Sequence, residues 1–325
     1  MRLRDFLLLG LAALTSLNNQ SALARDDNKV FRLGILSPVA RPVQTIRAIA
    51  LPELARLGFI EGKNLVVEPR VGSTELLPTV ARDLAAARPE VIIAVGAAAI
   101  RAIRETGDRT PIVGAFIGED PIAAGFADSL AHPGGTVTGI VMLAPELDSK
   151  RLHFLHEAFP DLRRIAALAV NEQRDAPNIE AVKEAAGHAG VELLSLYAAS
   201  SQDYVSAFAA MRNAQADGLQ IISAPELFAA ASGLAALAVE GRLPTICEWA
   251  EMAQAGCLFG YGPDFTELER RVANFVALIF RGTAPGELPI EGPTHFKFVI
   301  NLKTAKAIGL TIPPSVSALA DEVIE

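Results

Sequence analysis

The chain has 325 residues, of which 51% are apolar and 20% charged, so its length suits two domains and its composition excludes a disordered chain. It carries 37 acidic and 29 basic side chains, a formal net charge of −8, which argues against a nucleic-acid-binding surface. Two cysteines are too few for a disulfide-framed scaffold or a cysteine-rich metal site.

The first 24 residues have the pattern of a secretory signal peptide. Arg2 and Arg4 form a basic start, residues 6–17 an apolar stretch, and residues 22–24 a small-x-small cleavage site. The apolar stretch is shorter than the roughly 20 residues that a membrane span needs. We therefore expect cleavage after Ala24 and a periplasmic mature protein, with the Sec and twin-arginine export routes both open.

Beyond the signal, strands alternate with helices. Strands are predicted at 30–36, 65–71, 91–95, 112–116, 164–170, 191–197, 218–223, 243–247 and 257–261. Helices are predicted at 44–57, 75–88, 97–105, 146–158, 176–188, 203–213 and 226–239. This alternation predicts right-handed crossovers and parallel sheets in an α/β protein, and a break at 132–135 separates two halves.

Helix caps are predicted near the carboxyl terminus. Asp264 and Glu267 have capping-box spacing before an apolar helix, which Gly282 ends. Asn301 is placed to cap a short helix from Leu302 to Ile308, and Gly309 follows it.

Motifs for catalysis are missing from the sequence. There is no Gly-x-Ser-x-Gly elbow and no phosphate-binding loop, and the turn after Val95 has one glycine where a dinucleotide fingerprint needs three. His153 and His156 share a predicted helix face, but no third metal ligand is evident. We therefore expect neither an enzyme nor a bound cofactor or metal.

The two cysteines lie at the ends of predicted neighbouring strands. Cys247 ends one strand and Cys257 begins the next, which in a parallel sheet places them at opposite edges. That separation exceeds the reach of a disulfide, so two free buried thiols are predicted.

Six motifs, in order along the chain, resemble the ABC transporter substrate-binding proteins of the group that includes bacterial tryptophan- and tyrosine-binding members. They are Leu57–Asn64 (LGFIEGKN), Glu119–Ile122 (EDPI), His132–Gly139 (HPGGTVTG), Ala144–Leu147 (APEL), Tyr261–Pro263 (YGP) and Val299–Leu310 (VINLKTAKAIGL). The resemblance runs from about Phe31 to Glu325.

The resemblance implies a type I periplasmic-binding-protein fold, with two doubly wound parallel-sheet lobes joined by hinge crossings and a ligand held between them. The first lobe is assigned to 30–140 plus 262–285, and the second to 141–261 plus 290–325. The expected function is delivery of a small amphipathic carboxylate, an amino acid or aromatic acid, to a membrane permease with separate ATPase subunits. We expect a monomer. A sensory protein that presents the closed complex to a signalling receptor remains the alternative.

Candidate ligand contacts in the first lobe follow strand ends, where doubly wound sheets bind ligands. Ser37 follows the first strand, and Gly96, Ala97 and Ala98 begin the helix after the third. Backbone amides at that helix start favour an anion, such as a ligand carboxylate, although a plain structural turn is the alternative. Family members often have Thr and Pro where this chain has Ala97 and Ala98. Asp120, before Pro121, is predicted to cap a helix or contact ligand.

Candidate contacts in the second lobe are Asn171, Ser223, Glu226, Glu248 and Tyr261, again at strand ends. The family often shows Trp-Asn-Pro where this chain retains only Asn171. Glu226 has two interpretations: it stabilises a helix N-terminus, or it faces a ligand amine. Tyr261 is predicted to be the aromatic wall of the site. Trp249, the sole tryptophan, is placed either beside the cleft or buried inward.

Overall fold

A computed structural model describes residues 29–142 and 144–325 of the chain. The signal peptide predicted at residues 1–24 lies outside the described residues, and its cleavage after Ala24 stays a prediction. Within the described ranges, no helix combines the length and the apolar character that a membrane crossing requires.

The described strands are β1 (Phe31–Ser37), β2 (Leu65–Val71), β3 (Val91–Val95), β4 (Ile112–Ile117), β5 (Val137–Val141), β6 (Arg164–Ala169), β7 (Glu192–Tyr197), β8 (Gly218–Ile221), β9 (Thr245–Cys247), β10 (Phe259–Pro263), β11 (Ile290–Glu291), β12 (Phe296–Asn301) and β13 (Glu322–Ile324). Nine of the ten strands described between residues 29 and 263 were predicted, and β5 was missed.

Helices separate most of these strands. They are α1 (Ala40–Thr45), a π-helical turn (Ile46–Ala50), α2 (Leu51–Arg56), α3 (Leu77–Ala86), α4 (Gly96–Glu105), α5 (Ala144–Ala158), α6 (Ala176–Ala189), α7 (Ser201–Asn213), α8 (Pro225–Ala229), α9 (Ala231–Glu240), α10 (Ala250–Gln254), α11 (Phe265–Phe280), α12 (Leu302–Ile308) and α13 (Pro314–Ser317).

The strands form two sheets. The first has the order β11-β5-β4-β3-β1-β2, and the second β13-β12-β10-β9-β8-β6-β7. In chain order, the first five strands of each sheet have the same arrangement. Successive strands are added on one side of β1 and then on the other, so the strand order reverses between β1 and β3, and it does so again between β6 and β8. Doubly wound sheets bind ligands beyond the carboxyl ends of the strands at such a switch point. The fold thus offers two switch points, one in each sheet.

Apolar composition explains which strands are central. Every residue of β3 is buried, and this strand of mostly β-branched side chains lies between β1 and β4. Next to it, β4 and β5 approach closely at a pair of glycines. A Cβ on Gly139, whose φ is +135°, would lie 2.0 Å from the carbonyl oxygen of Gly114. Only glycine therefore fits at position 139.

The predicted helix caps at Asp264 and Asn301 are confirmed, but the reciprocal half of the capping box is not formed: Glu267 pairs with His295, and the Asp264 N–H donates to the His295 carbonyl oxygen over 2.9 Å. The Asp264 side chain accepts hydrogen bonds from the backbone N–H groups of Thr266 and Glu267. Asn301 accepts one from Thr304, and Gly309 ends α12 with a φ of +77°. Both caps satisfy backbone donors that have no partner inside their helix.

The sequence predicted parallel sheets, but the second sheet contains one antiparallel pair. β12 runs antiparallel to β10, and Pro263 pairs with Phe296. The reason is that the chain leaves the second sheet at Pro263 and returns to it at Phe296, at the same end of β10. In addition, Ile290 and Glu291 pair with β5 of the first sheet, whereas residues 290–325 had all been assigned to the second lobe.

The prediction of two free thiols is wrong, because Cys247 and Cys257 form a disulfide with a Cα–Cα distance of 6.5 Å. The prediction assumed an extended strand from Cys257 onward. In the structure β10 begins only at Phe259, and Cys257 lies in the turn after Gly256, whose φ is +117°. That turn brings Cys257 back to the end of the three-residue strand β9.

The chain passes between the sheets three times, after Val141, after Pro263 and after Glu291. Between the last two passages, α11 packs against α2 and the strands β3, β4 and β5 of the first sheet. One apolar cluster contains buried side chains from both sheets, including Val113 and Leu219. The two halves are therefore in direct contact along a shared core.

Candidate functional site

The carboxyl edges of the two sheets face each other across a cleft that is closed by direct contacts. Arg41 of α1 donates from Nη1 to the carbonyl oxygen of Phe228 in α8 over 2.8 Å, and its guanidinium lies 4.2 Å from the centre of the Phe228 ring. A Cβ on Gly96 would lie 3.8 Å from Cγ of Pro225. Because α1, α4 and α8 follow β1, β3 and β8, these contacts join the two switch points.

The predicted first-lobe residues lie on this edge or beside it. Ser37 is fully buried and its hydroxyl donates to the carbonyl oxygen of Val39 over 2.7 Å, so that it shapes the turn into α1. Gly96, with a φ of +75°, begins α4 opposite the second lobe, and the half-buried Ala97 and Ala98 pack against the first-lobe core.

Asp120 is exposed and accepts the N–H of Ile122 over 2.8 Å. The carboxylate thus caps a hydrogen-bonded turn, where the sequence had predicted the first residues of a helix. The neighbouring Glu119 pairs with Arg101 at 2.6 Å.

Two of the predicted second-lobe residues belong to the rim of the cleft. Glu226 is paired with Arg174 at 2.8 Å and accepts a weaker contact from Thr74 of the first lobe at 3.4 Å. Asn171 is exposed and its side chain accepts the backbone N–H groups of Gln173 and Arg174. The rim therefore holds Arg174 by both a turn and an ion pair.

Ser223 and Glu248 belong instead to a buried polar network around Arg151, a residue of α5 that sequence reasoning missed. Arg151 has no solvent exposure. It donates to Asp148 at 2.7 Å, to the Ser223 hydroxyl at 2.9 Å and to the carbonyl oxygens of Tyr261 and Glu248 at 2.7 and 3.2 Å. One guanidinium thus joins the carboxyl ends of β8, β9 and β10, and its five donors suit this role.

Tyr261 does not form the aromatic wall that the sequence predicted. Its ring packs with Phe154, Phe296 and Phe298 in the core of the second sheet, with centroid separations of 4.8 to 6.2 Å. Residues alternate between the two faces of a strand, and Tyr261 occupies the face that packs against α5. Its backbone carbonyl, bound to Arg151, is the part that reaches the network.

Four other rings meet between the lobes: Phe116, Phe228, Trp249 and Phe265. Trp249 lies edge-on to Phe265 at 5.0 Å and to Phe116 at 5.6 Å, and Phe265 stacks on Phe116 at 5.2 Å. Phe228 completes the cluster at 5.5 Å from Phe265. Phe116 has a φ of +59°, a conformation that costs a non-glycine residue free energy and is concentrated at functional sites.

We call these four rings the aromatic cluster. Trp249 is 3% exposed and touches rings of the first lobe, so the placement beside the cleft is the one that the structure supports. Three of the rings lie at or just after strand ends, the positional signal that the sequence had already indicated for Trp249 but not for Phe116 and Phe265.

Three carboxyl groups lie on the segments that carry Trp249 and Phe265, and two of them, those of Glu248 and Glu269, are buried. Burial raises the pKa of Glu248 to about 7, with nearby Arg151 acting in the opposite direction. Burial also raises the pKa of Glu251, two residues after Trp249, and one of its oxygens has no hydrogen-bond partner among the described residues. Glu269, one turn after Phe265 on α11, has its pKa raised to about 8 by burial, and the hydroxyl of Thr45 is its hydrogen-bonding partner at 3.4 Å.

The metal candidate from the sequence does not gain a third ligand. His153 is largely exposed, and its Nε2 lies 3.8 Å from Glu157 on the same helix. In the described ranges, no three His, Cys, Asp or Glu side chains are grouped so that they could hold a metal ion.

A cleft between two doubly wound sheets, lined by rings and charged groups from both, defines a two-lobed solute-binding protein. The profile of the family described as ABC transporter substrate binding protein matches residues 43–324. The chain belongs to this family, as its six motifs had indicated. Proteins of this family act outside the cytoplasmic membrane as the binding components of ABC transporters.

Relatives with known structures share the fold. A conserved domain protein from Vibrio cholerae superposes with a TM-score of 0.83 at 24% identity, over 91% of this chain and all of that one. An ABC domain from Streptococcus pneumoniae in complex with L-Trp gives 0.81 at 21% identity, with the same coverage of 91% and 100%. In sequence, the tyrosine-binding protein of Clostridioides difficile strain R20291 is 20% identical over 289 residues, which are 88% of this chain and 83% of that protein. The predicted type I periplasmic-binding-protein fold is confirmed.

Proposed function

We propose that this protein binds a small amphipathic carboxylate outside the cytoplasmic membrane and delivers it to an ABC transporter permease. Within that class, an amino acid with an aromatic side chain fits best. The observation that carries the proposal is the aromatic cluster, in which Phe116 and Phe265 of the first lobe meet Phe228 and Trp249 of the second. Here the rings pack against one another, and a ligand ring that replaced part of their mutual contact would gain contacts from both lobes at once.

Charged groups around the aromatic cluster suit the two ends of an amino acid. Arg41 supplies a guanidinium for a carboxylate, in competition with its present bond to the Phe228 carbonyl. Glu251 has a buried oxygen without a partner, and an ammonium group there would supply the missing hydrogen bond. The relatives named for tyrosine and crystallised with L-Trp support the same ligand class.

Hinge closure follows from contacts made by both lobes. Ligand stabilises the closed form by the difference between its affinities for the closed and open forms, and a shift from 1:99 to 99:1 takes about 5.5 kcal/mol. The three passages between the sheets, after Val141, Pro263 and Glu291, are the hinge segments that we assign. The closed shape is what the permease recognises, and transport energy comes from separate ATPase subunits.

The ligand class is tested by a thermal-shift screen of the mature protein with single compounds. A ligand that binds only the folded state raises the midpoint temperature of unfolding. At a free ligand concentration about 100 times the dissociation constant it adds about 2.7 kcal/mol of stability. We expect L-tyrosine, L-tryptophan or L-phenylalanine to shift the midpoint most. Phenylacetate lacks the ammonium and tyramine lacks the carboxylate, so each is expected to bind more weakly. A screen in which none of these compounds shifts the midpoint would reject the aromatic ligand class.

Closure is tested separately by small-angle scattering. We expect a smaller radius of gyration with saturating ligand, because closure compacts the molecule. The same titration should change the emission of Trp249, which lies between the lobes. An unchanged radius at saturation would reject hinge closure while leaving binding intact.

A further inference from the structure

The disulfide encloses the segment of the second lobe that carries Trp249. Residues 248–256, which we call the cleft loop, run from Cys247 at the end of β9 to Cys257 before β10. The cleft loop also carries Glu251, and its α10 helix packs against β10 and β12. Both cysteines are buried, with exposures of 0% and 1%. The bond therefore closes the loop at its base, away from solvent.

Hydrogen bonds hold the backbone of the cleft loop at three points along its length. Arg151 donates to the carbonyl oxygen of Glu248 over 3.2 Å, Asn301 to that of Ala253 over 2.8 Å, and Thr304 to that of Gly256 over 2.9 Å. These donors come from α5, from the end of β12 and from α12. Three separate elements thus fix the loop in one position.

Two glycines of β10 allow the loop to lie directly on that strand. A Cβ on Gly260 would lie 2.2 Å from the carbonyl oxygen of Trp249, and one on Gly262 would lie 2.0 Å from that of Glu248. The glycines are needed because the loop backbone occupies the space of a side chain. The spacing Gly-Tyr-Gly in this strand is therefore explained by the loop that it supports.

We propose that the Cys247–Cys257 disulfide is a positioning element for the ligand site, which holds Trp249 and Glu251 in binding geometry before ligand arrives. The part that concerns ligand affinity rests on the proposed function, whereas the ordering of the loop does not. Preorganisation raises affinity because the cost of ordering the loop is met during folding instead of during binding. Without the bond, the same residues must be ordered when ligand binds.

The ordering of the loop is tested without ligand, through the sole tryptophan of the chain. The double substitution C247A/C257A removes the bond and introduces no buried hydroxyl group. We expect the Stern–Volmer constant for acrylamide quenching of Trp249 to rise about twofold or more, with a red-shifted emission, while the far-ultraviolet circular dichroism stays that of the parent. The control is Val182→Ala, which creates a cavity in the same lobe on α6, in a different apolar cluster from the one that contains Trp249.

Quenching that is the same in C247A/C257A and in the parent would overturn the proposal. If Val182→Ala raises the quenching as much, the effect is general destabilisation and the proposal is also overturned. Should the double variant not fold, C247V/C257A decides, because it also removes the bond but refills part of the volume that the two sulfur atoms leave. Its expected rise in quenching is in the same direction, and no rise overturns the proposal.

The effect on affinity is measured by calorimetric titration with L-tyrosine. We expect the dissociation constant of C247A/C257A to be about tenfold higher than that of the parent, and that of Val182→Ala to be unchanged. Equal affinity of the double variant and the parent overturns the positioning role. A parent that does not bind L-tyrosine contradicts the proposed ligand, and the quenching result then decides the ordering of the loop alone.

Discussion

The two edges of the cleft are built differently, although both sheets wind in the same order. On the second-lobe edge, Arg151 joins three strand ends, and its partner Asp148 also accepts a hydrogen bond from Asn178 at 2.7 Å. On the first-lobe edge the buried carboxyl of Glu269 has a weak contact with Thr45 at 3.4 Å, and within the described part of the chain its second oxygen has no partner. Arg41 reaches across to the opposite lobe.

This difference indicates that the two lobes have different roles in ligand binding. In the second lobe the charges around Arg151 are paired and the cleft loop is held at three points, so this lobe presents a preformed surface that leaves one oxygen of Glu251 for a ligand group. The first lobe brings an arginine, two rings and a carboxyl group that lack such a network, and these gain most from a partner. Four substitutions test this difference between the two lobes and are given in order of decreasing expected effect.

The largest effect is expected from Arg151→Met. It removes the shared guanidinium and leaves Asp148 as a buried charge without its cation, which typically costs about 3–5 kcal/mol. Urea denaturation of the parent and the variant measures the loss. Arg47→Met is the matched control, because Arg47 pairs with Glu61 on the exposed surface and is expected to cost less than about 1 kcal/mol. Similar losses in the two variants would contradict a network role for Arg151.

The second effect concerns the pH dependence of stability. Glu269 has a folded-state pKa of about 8 against an ordinary value of 4.5, so the folded protein binds its proton more tightly than the unfolded chain does. Its contribution to stability is fully present below the unfolded pKa and is lost as the pH rises through about 8. Glu269→Gln removes this loss, so the stability of the variant relative to the parent should increase by about 2–4 kcal/mol from pH 5 to pH 9.

Urea denaturation at several pH values measures this increase. Glu61→Gln, at an exposed carboxyl group, controls for the change from acid to amide. A Glu269→Gln variant whose stability runs parallel to that of the parent across the range would show that Glu269 is ionised in the folded state and has a partner. The contrast between the two edges of the cleft would then be lost.

The third effect is on ligand affinity. Arg41→Ala removes the first-lobe guanidinium that binds across the cleft, and the loss of a charge-assisted hydrogen bond is expected to cost about 1–3 kcal/mol, or roughly tenfold or more in the dissociation constant. Titration calorimetry with L-tyrosine measures it. Arg47→Ala, on the adjoining π-helical turn, should bind as the parent does. Equal affinity of the Arg41 variant and the parent would remove Arg41 from the site.

The smallest effect is expected at the rim. Glu226 already has Arg174 as its partner and Thr74 as a weaker inter-lobe contact, so Glu226→Gln should weaken L-tyrosine binding only about twofold to threefold. Thr74→Val, which removes the other side of the inter-lobe contact, should match it. A loss of tenfold or more in Glu226→Gln alone would restore Glu226 as a direct ligand contact, as the sequence analysis first suggested.

Local signals predicted the elements well. The boundaries of β2 and β3 are those predicted. β3 is a continuous run of apolar, mostly β-branched residues, and β2 begins with three such residues, 65–67. The caps of α11 and α12 followed from Asp264 and Asn301, since each cap involves side chains and backbone within three residues. The return strand β12 was missed, because its pairing with β10 depends on where the chain re-enters the sheet.

The composition of the site was less predictable. Strand-end position correctly brought Ser37, Gly96, Ser223 and Glu248 to the facing edges, but the same rule applied to Tyr261 failed, because position along a strand does not reveal which face a side chain occupies. Arg151 lies in the middle of a helix and carries no strand-end signal. Its role becomes visible only when α5 is packed beneath β8, β9 and β10.

Residue types at short and regular spacing were enough to predict the alternation of strands and helices, the helix ends and the family. Tertiary structure alone decided the Cys247–Cys257 bond, the antiparallel return strand and the meeting of four rings between the lobes. The physical reason is the same in each case. These features depend on distances between segments far apart in the chain or on a turn that reverses direction, and local propensity does not encode them.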